Sequence, residues 1–198
     1  MVTAIEFNME IAKIYKDFFP QDNVIITDAH QYLLEYYEEF DFIWSSPPCP
    51  THSRIRQFSA VASGNSKAVF PNMQLYEEII FLMHNFKGKW VVENVKSYYP
   101  PLWLPKIIDR HYFWSNFQIS DFESKIRNFK IGGYNKKMNN LRKETVEKLE
   151  LYHGIKLPVS TKNKRLLLRN AIHPEIGKHI LDCIDLNHKY PEVGITSV

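Results

Sequence analysis

The feature that most constrains the fold of this chain is a series of short apolar runs that alternate with segments of helical periodicity. The runs Val24 to Thr27, Phe40 to Trp44 and Trp90 to Val92 have the length and composition of buried strands. Glu10 to Phe18 and Asn72 to Phe86 instead place their apolar residues on one helical face. This alternation predicts an α/β fold with a doubly wound, mostly parallel sheet.

Residues capable of chemistry follow several of these apolar runs directly. Glu6, Asp28, Cys49 and Glu93 each come just after a strand-like segment. In parallel sheets, ligands bind beyond the carboxyl ends of the strands. We therefore expect these four side chains to point into one crevice, which is the place to look for an active site.

The second half of the chain is less regular. Tyr112 to Phe117 is predicted to be a further strand, and Lys143 to Leu151 a short helix that ends at Gly154. Pro174 to Asp185 has the pattern of a last amphipathic helix. A length of 198 residues suits one domain, or one domain with a small appendage.

Charge is unevenly distributed along the chain, although the net charge is only +3. Residues 35 to 41 are rich in acid, whereas residues 125 to 143 and 162 to 169 are rich in lysine and arginine. Basic stretches with interleaved polar and aromatic residues are typical of phosphate contacts. A solvated surface loop has the same composition, so the pattern leaves both interpretations open.

The two cysteines, Cys49 and Cys183, do not form a recognisable disulfide framework, and free thiols favour a reducing compartment. The N-terminus lacks the pattern of a signal peptide, and the apolar runs are too short to span a bilayer. These observations predict a cytoplasmic protein with no membrane partner.

Cys49 sits in the run SSPPCPTHS, where two prolines stop the preceding strand and stiffen the loop. A thiol placed there suits nucleophilic attack, whereas a buried structural cysteine is the simpler alternative. A metal site with His52 lacks further ligands at suitable spacing, so no metal is predicted. Glu93 could protonate or hydrogen-bond a ring nitrogen of a substrate. Alternatively, it is only a carboxylate that interacts favourably with the dipole at the start of a helix.

Two motifs of this chain resemble those of a known enzyme family. SPPCPTHS, followed about forty residues later by VVENV, is similar to the paired motifs of the cytosine-5 DNA methyltransferases. Four other segments resemble further motifs of the family more weakly, and they occur in the family's order along nearly the whole chain. They are AIEFN, TDAHQY, DRHYFWSNF and RNAIHPEIGKHI. The resemblance implies the fold of S-adenosylmethionine-dependent methyltransferases, with a small target-recognition region.

The resemblance also implies a reaction, which is methyl transfer to C5 of cytosine in duplex DNA. Cys49 would attack the base, Glu93 would bind its N3, and Arg110 would orient the base or neutralise the thiolate. The target base would be flipped out of the duplex, and residues 53 to 67 would close over it. The residues expected to position the substrate are Pro47, Asn94 and Ser53.

S-adenosyl-L-methionine is the cofactor that the resemblance implies. Glu6 would bind its ribose hydroxyls and Asp28 its adenine amino group. Asn170 would lie near the methionine part, and Pro48 in the loop beside it. By the same resemblance, residues 1–117 form the catalytic core, residues 118–160 the recognition region, and residues 161–198 a C-terminal helix that returns to the core.

The family's glycine-rich first motif has no counterpart here, and its strand is central in the family's sheet. Three explanations stay open, which are a complementing N-terminal polypeptide, a truncated or misassigned gene start, and an inactive remnant. Arg169 also stands where the last motif usually has glycine.

Two other functions therefore stay open beside DNA methylation. One is a silent DNA-binding or regulatory protein of the same fold, and the other is a tRNA cytosine methyltransferase. The broader RNA enzymes use a second active-site cysteine, and the helical setting of Cys183 does not favour that route.

Overall fold

The computed structural model describes residues 1–122, 134–135, 140–141 and 145–187. The chain divides into two compact units. The first joins Met1–Tyr32 to Glu123–Gly177, and the second joins Leu33–Phe122 to Lys178–Val198. Strands and helices both occur, so the predicted α/β class is confirmed at that level.

The strands, in chain order, are β1 (Thr3–Ile5), β2 (Asn23–Ile25), β3 (Phe42–Ser45), β4 (Lys89–Val95), β5 (Lys106–Ile108), β6 (His111–Ser115), β7 (Tyr134–Asn135) and β8 (Asn140–Leu141). The α-helices are α1 (Met9–Phe18), α2 (Ala29–Tyr36), α3 (Gln74–Asn85), α4 (Val146–His153), α5 (Lys164–Asn170) and α6 (Pro174–Asn187). A 3₁₀ turn spans Tyr37–Glu39, and a π-helical turn spans Arg56–Val61. Within the part of the chain that the structure describes, no helix combines the length and apolarity that a membrane span requires.

The first unit contains a small parallel sheet. Strands β1 and β2 pair in parallel, with Ala4 opposite Val24, and α1 connects them. The helix begins after Asn8, whose side-chain oxygen accepts hydrogen bonds from the amides of Glu10 and Ile11. The predicted helix from Glu10 to Phe18 and the strand that follows it are thus confirmed within two residues at their ends.

From residue 145 to residue 177, the first unit is largely helical. Leu149 on α4 packs with Leu157 and with Leu168 on α5 in a small buried cluster. Helix α4 ends at Gly154, whose φ of 66° is a conformation that glycine adopts without strain. The end predicted for this helix is therefore confirmed, but residues 143 and 144 of its predicted start lie outside the described residues.

The second unit is built on a mixed sheet with the strand order β3-β4-β6-β5. Strands β3 and β4 are parallel, whereas β6 is antiparallel to both β4 and β5. The prediction of one mostly parallel, doubly wound sheet is thus not met, since β1 and β2 form a separate sheet. Asp109 and Arg110 form a two-residue turn between β5 and β6, and so short a connection can join only antiparallel strands.

Strand β4 is the most buried strand of this sheet and has different chemistry on its two faces. Trp90 and Val92 pack with α3 in the main core of the unit. Since successive side chains alternate between faces, Glu93 points to the opposite face. Its direct neighbour across the β4–β6 pair is Phe113, and His111 follows two residues away on the same face. The fold therefore places a carboxyl group on the sheet face that α3 does not cover.

Candidate active site

The loop that carries Cys49 leaves β3 through Ser46, Pro47 and Pro48. Each proline fixes its own φ and lacks a backbone donor, which stiffens this segment. Pro47 is buried, Pro48 is exposed, and Cys49 is half-buried as a free thiol. The thiol is thus held at the end of a strand, with part of its surface open to a reactant.

Asn94 ties this loop to the neighbouring strand β4. Its side chain is buried, and its amide nitrogen donates a hydrogen bond of 2.9 Å to the carbonyl oxygen of Pro47. Its side-chain oxygen accepts a hydrogen bond of 3.0 Å from the backbone amide of Val95. The residue after Glu93 therefore fixes the entry to the cysteine loop.

A second connection fixes the loop just after the cysteine. The carbonyl oxygen of Cys49 accepts hydrogen bonds from the amides of His52 and Ser53, at 3.0 and 3.2 Å. His52 is buried, and its Nδ1 lies 2.6 Å from the hydroxyl of Tyr99. Its carbonyl accepts a hydrogen bond from the amide of Tyr98. The sequence suggests His52 only as a possible metal ligand, whereas the structure shows that it anchors the loop.

Replacing Asn94 with alanine is expected to lower the free energy of unfolding by about 1 to 3 kcal/mol, because the buried Pro47 carbonyl loses its donor. Chemical denaturation of the variant measures this loss. Asn85→Ala is the matched control, since the amide of Asn85 also donates to a carbonyl, that of Phe81, but the residue is exposed. A control change within about 0.5 kcal/mol is expected. Equal losses in both variants would contradict a special role for Asn94.

Glu93 is a buried acid beside the cysteine loop. Its residue surface is 8 % exposed. Burial raises the pKa of its carboxyl to about 7, while a hydrogen bond from Ser46 and the charge of Arg110 oppose that rise. Near neutral pH the group is therefore present as both acid and carboxylate. A carboxyl in that state is able to donate a proton to a ring nitrogen.

The same surroundings raise the pKa of the Cys49 thiol. Burial is the largest cause, and the negative charge of Glu93 adds to it. A backbone hydrogen bond and the charge of Arg110 act in the opposite direction. Because a neutral Glu93 removes one of the two unfavourable causes, protonation of the acid favours formation of the thiolate.

Arg110 is the cation common to both groups. It belongs to the tight turn between β5 and β6, where Asp109 has a φ of 51°. The carbonyl of Arg110 accepts a hydrogen bond of 3.1 Å from the amide of Lys96, just after β4. The turn is thereby held against the strand that carries Glu93. The structure thus brings together three residues predicted from the sequence, Cys49, Glu93 and Arg110, in the second unit.

Glu6 and Asp28 lie in the first unit, beyond the carboxyl ends of the parallel strands β1 and β2. The Glu6 carboxylate accepts a hydrogen bond of 2.8 Å from the amide of Asn8. The Asp28 carboxylate accepts one of 3.0 Å from the amide of Gln31 at the start of α2. Each carboxylate has a further oxygen with which to accept hydrogen bonds from hydroxyl or amino groups. These acceptors suit the hydroxyl and amino groups in the adenosine part of S-adenosylmethionine.

The other predicted site residues are more scattered. Asn170 is the exposed last residue of α5 in the first unit, and the exposed Pro48 belongs to the second. Ser53 follows the cysteine turn and bridges to Ser97. A single crevice that unites the residues of both units stays a prediction. Among the described residues, no group of three or more His, Cys, Asp or Glu side chains is arranged to hold a metal ion.

Comparison with known proteins agrees with this arrangement. The family model of the C-5 cytosine-specific DNA methylases matches residues 1–99, which is half of the chain and includes both the cysteine loop and Glu93. No curated protein matches the chain. The family match confirms the resemblance that the two motifs indicated. The chain therefore belongs to the C-5 cytosine-specific DNA methylase family.

Proposed function

We propose that this protein transfers a methyl group to C5 of cytosine in duplex DNA through a covalent adduct with Cys49. The observation that supports this best is the combination of a half-buried thiol, a buried acid with a pKa of about 7, and a shared arginine. Each of the three groups has a role when a thiolate adds to a cytosine ring. A structural cysteine would require neither the acid nor the cation.

The first task is nucleophilic addition. The Cys49 thiolate forms a bond to C6 of the base, and the electron pair of the C5–C6 double bond moves toward C5. The ring becomes an enamine-like nucleophile, and C5 would form its bond to the methyl group as the methyl–sulfur bond of the donor breaks and leaves a neutral thioether. Water acting as a base then takes the proton from C5, the electron pair returns to the C5–C6 bond, and the Cys49 sulfur leaves C6 as a thiolate.

The second task is proton delivery to N3. As sulfur adds to C6, negative charge develops on the ring, and a donor at N3 stabilises it. The Glu93 carboxyl is suited to this task because burial keeps much of it protonated near neutral pH. Arg110 acts on the other reactant, since its charge favours the thiolate of Cys49.

The cofactor of this reaction is S-adenosylmethionine, which supplies an electrophilic methyl group when it is bound. Glu6 binds the ribose hydroxyls, and Asp28 binds the adenine amino group. Their positions beyond the ends of β1 and β2 support this assignment. Asn170 contributes toward the methionine part and Pro48 borders it, both by the resemblance of their motifs.

Duplex DNA is the proposed substrate, with the target base flipped out of the helix. Part of the basic sequence, residues 162 to 169, lies at α5 and suits phosphate contacts. Most of residues 125 to 143, and much of the proposed recognition region 118–160, lie outside the described residues. Beside the cysteine loop, Ile55 and Phe58 are exposed at the π-helical turn, which suits a segment that closes over a base.

A glycine-rich first motif and its strand, from a complementing polypeptide or from a longer form of this chain, would complete the cofactor site. Among the described residues, β1 pairs with β2 alone and β3 pairs with β4 alone, so each sheet has an open edge. Edges of this kind accept a further strand through backbone hydrogen bonds. The added strand would also bring the backbone turn that the resemblance assigns to the methionine part of the cofactor.

Methyl incorporation tests the proposal. The chain is incubated with cytosine-containing duplex DNA and radiolabelled S-adenosylmethionine, with and without a polypeptide that carries the glycine-rich motif. We expect label in 5-methylcytosine of the DNA, with the larger yield in the complemented reaction. Duplex binding without incorporation in either reaction would contradict the proposal and favour a silent DNA-binding protein. Label in tRNA but not in DNA would replace the proposed substrate.

A further inference from the structure

One buried titratable side chain next to the proposed acid has no task in the reaction so far. His111, the first residue of β6, is 3 % exposed and shares the sheet face of Glu93. Its Nε2 lies 3.6 Å from Oε1 of Glu93, just beyond hydrogen-bond distance. Hydrogen bonds among catalytic groups are often this long before the substrate binds, and they shorten in the complex. This contact comes from the register of β4 and β6, since Glu93 pairs with Phe113 and Val95 with His111.

The second ring nitrogen of His111 shows where the hydrogen is. Nδ1 is buried and has no hydrogen-bond partner among the described residues. A buried N–H without an acceptor is costly, whereas Glu93 offers an acceptor beside Nε2. The hydrogen of the neutral ring therefore belongs on Nε2, directed at Oε1 of Glu93.

The ring is neutral because of the charges around it. Burial lowers the pKa of His111 to about 3, and the cations Arg110 and Lys96 add to that effect. Glu93 is the acid that faces His111. The other groups that act on Glu93 or on its neighbours through a charge or a hydrogen bond are Cys49, Ser46 and Arg110. A neutral N–H can orient a carboxyl oxygen, and it favours the ionised form of the carboxyl less than a positively charged group would.

We propose that His111 is a positioning residue that fixes the rotation of the Glu93 carboxyl group, so that the other oxygen faces the target base. This inference rests on the proposed function, in which Glu93 donates to N3 of cytosine. In the complex with the base, this contact shortens so that Oε1 accepts a hydrogen bond from Nε2–H, and the proton that reaches the base is on the second oxygen of Glu93. A cation at this position would keep Glu93 ionised and remove the proton donor.

The experiment follows the Glu93 carboxyl by carbon-13 NMR in the full chain, with its signal assigned by loss in Glu93→Gln. In His111→Leu the carboxylate loses the N–H dipole beside it, and we expect its titration midpoint to rise by about half a pH unit. In His111→Gln the side-chain amide replaces Nε2–H, and the midpoint is expected to return toward the native value. In His111→Lys it is expected to fall below the native value.

His153→Gln is the matched control, because His153 is equally buried but donates to the carbonyl of Leu168 in the first unit. We expect no movement of the Glu93 midpoint in this variant. An unchanged midpoint in both His111→Leu and His111→Lys would overturn the inference. The glutamine variant keeps the test valid if the leucine variant does not fold.

The pH profile of methyl transfer provides the second readout. Because the protonated form of Glu93 is the active one, the alkaline limb of kcat/KM should shift with the NMR midpoint in each variant. A midpoint that shifts while the limb stays in place would overturn the positioning role. If the titration midpoint of Glu93 shifts in the variants but the native protein does not methylate cytosine, the proposed function is wrong. The His111–Glu93 contact would then have no role in catalysis.

Discussion

Replacing Cys49 with alanine is expected to lower kcat/KM for methyl transfer by about a thousandfold or more, because the reaction loses its nucleophile. Without addition at C6, C5 of cytosine is a poor nucleophile, and the acid and arginine have no adduct to stabilise. The loop should still form, since Asn94 and His52 hold it on either side of the cysteine through contacts that do not involve the thiol. Radiolabel incorporation into DNA measures the loss.

Cys183→Ala is the control for general effects of removing a thiol. Cys183 is the chain's other cysteine, buried on α6, and its sulfur lies 3.4 Å from the hydroxyl of Ser120. We expect this variant to retain methyl transfer. Retained activity in Cys49→Ala would show that another group attacks the base, and loss of activity in both variants would point to a folding defect.

The second large effect concerns stability as a function of pH. Burial raises the pKa of Glu93 from 4.5 to about 7, so its contribution to stability falls as the pH rises through that window. Burial lowers the pKa of His111 from 6.5 to about 3, so its contribution is lost as the pH falls from 6.5 toward 3. Between pH 4.5 and 6.5 the two dependences oppose each other, and together they should nearly cancel.

Glu93→Gln removes one side of this balance. Relative to the native protein, the variant should gain about 3 kcal/mol in unfolding free energy between pH 4 and pH 8, because glutamine does not ionise. Chemical denaturation at several pH values in that range measures the difference. Glu77→Gln is the control, since it makes the same change at an exposed position on α3. Parallel curves for Glu93→Gln and native protein would show that Glu93 ionises as easily in the folded chain as in water.

Local elements of this fold were predictable from the sequence because their signals are local. The apolar face of α1, the glycine that ends α4 and the buried run of β4 depend on a few neighbouring residues. The hairpin of β5 and β6 was not predictable in the same way. Its turn contains Asp109 and Arg110 rather than a glycine, so the usual hairpin signal is absent. The mixed sheet, in turn, depends on that hairpin.

The candidate site was predictable in part. Cys49 and Glu93 each follow an apolar run and belong to recognisable motifs, so their roles could be hypothesised from the sequence. Ser46 and His111 were not identified, because their contacts with Glu93 depend on strand register. The alternation within His111–Ser115 was the available signal, since it places His111 and Phe113 on one face. Only knowledge of the pairing shows that Glu93 shares that face.

The central claim is that Cys49 attacks C6 of cytosine, and a duplex with 5-fluorocytosine at the target base tests it most directly. Fluorine cannot leave C5 as a proton does, so an adduct that has accepted the methyl group stays bound to the protein. In the presence of S-adenosylmethionine and the complementing polypeptide, we expect a denaturation-resistant complex whose modified peptide contains Cys49. A complex that also forms with Cys49→Ala, or methylated DNA without any trapped complex, would contradict this account.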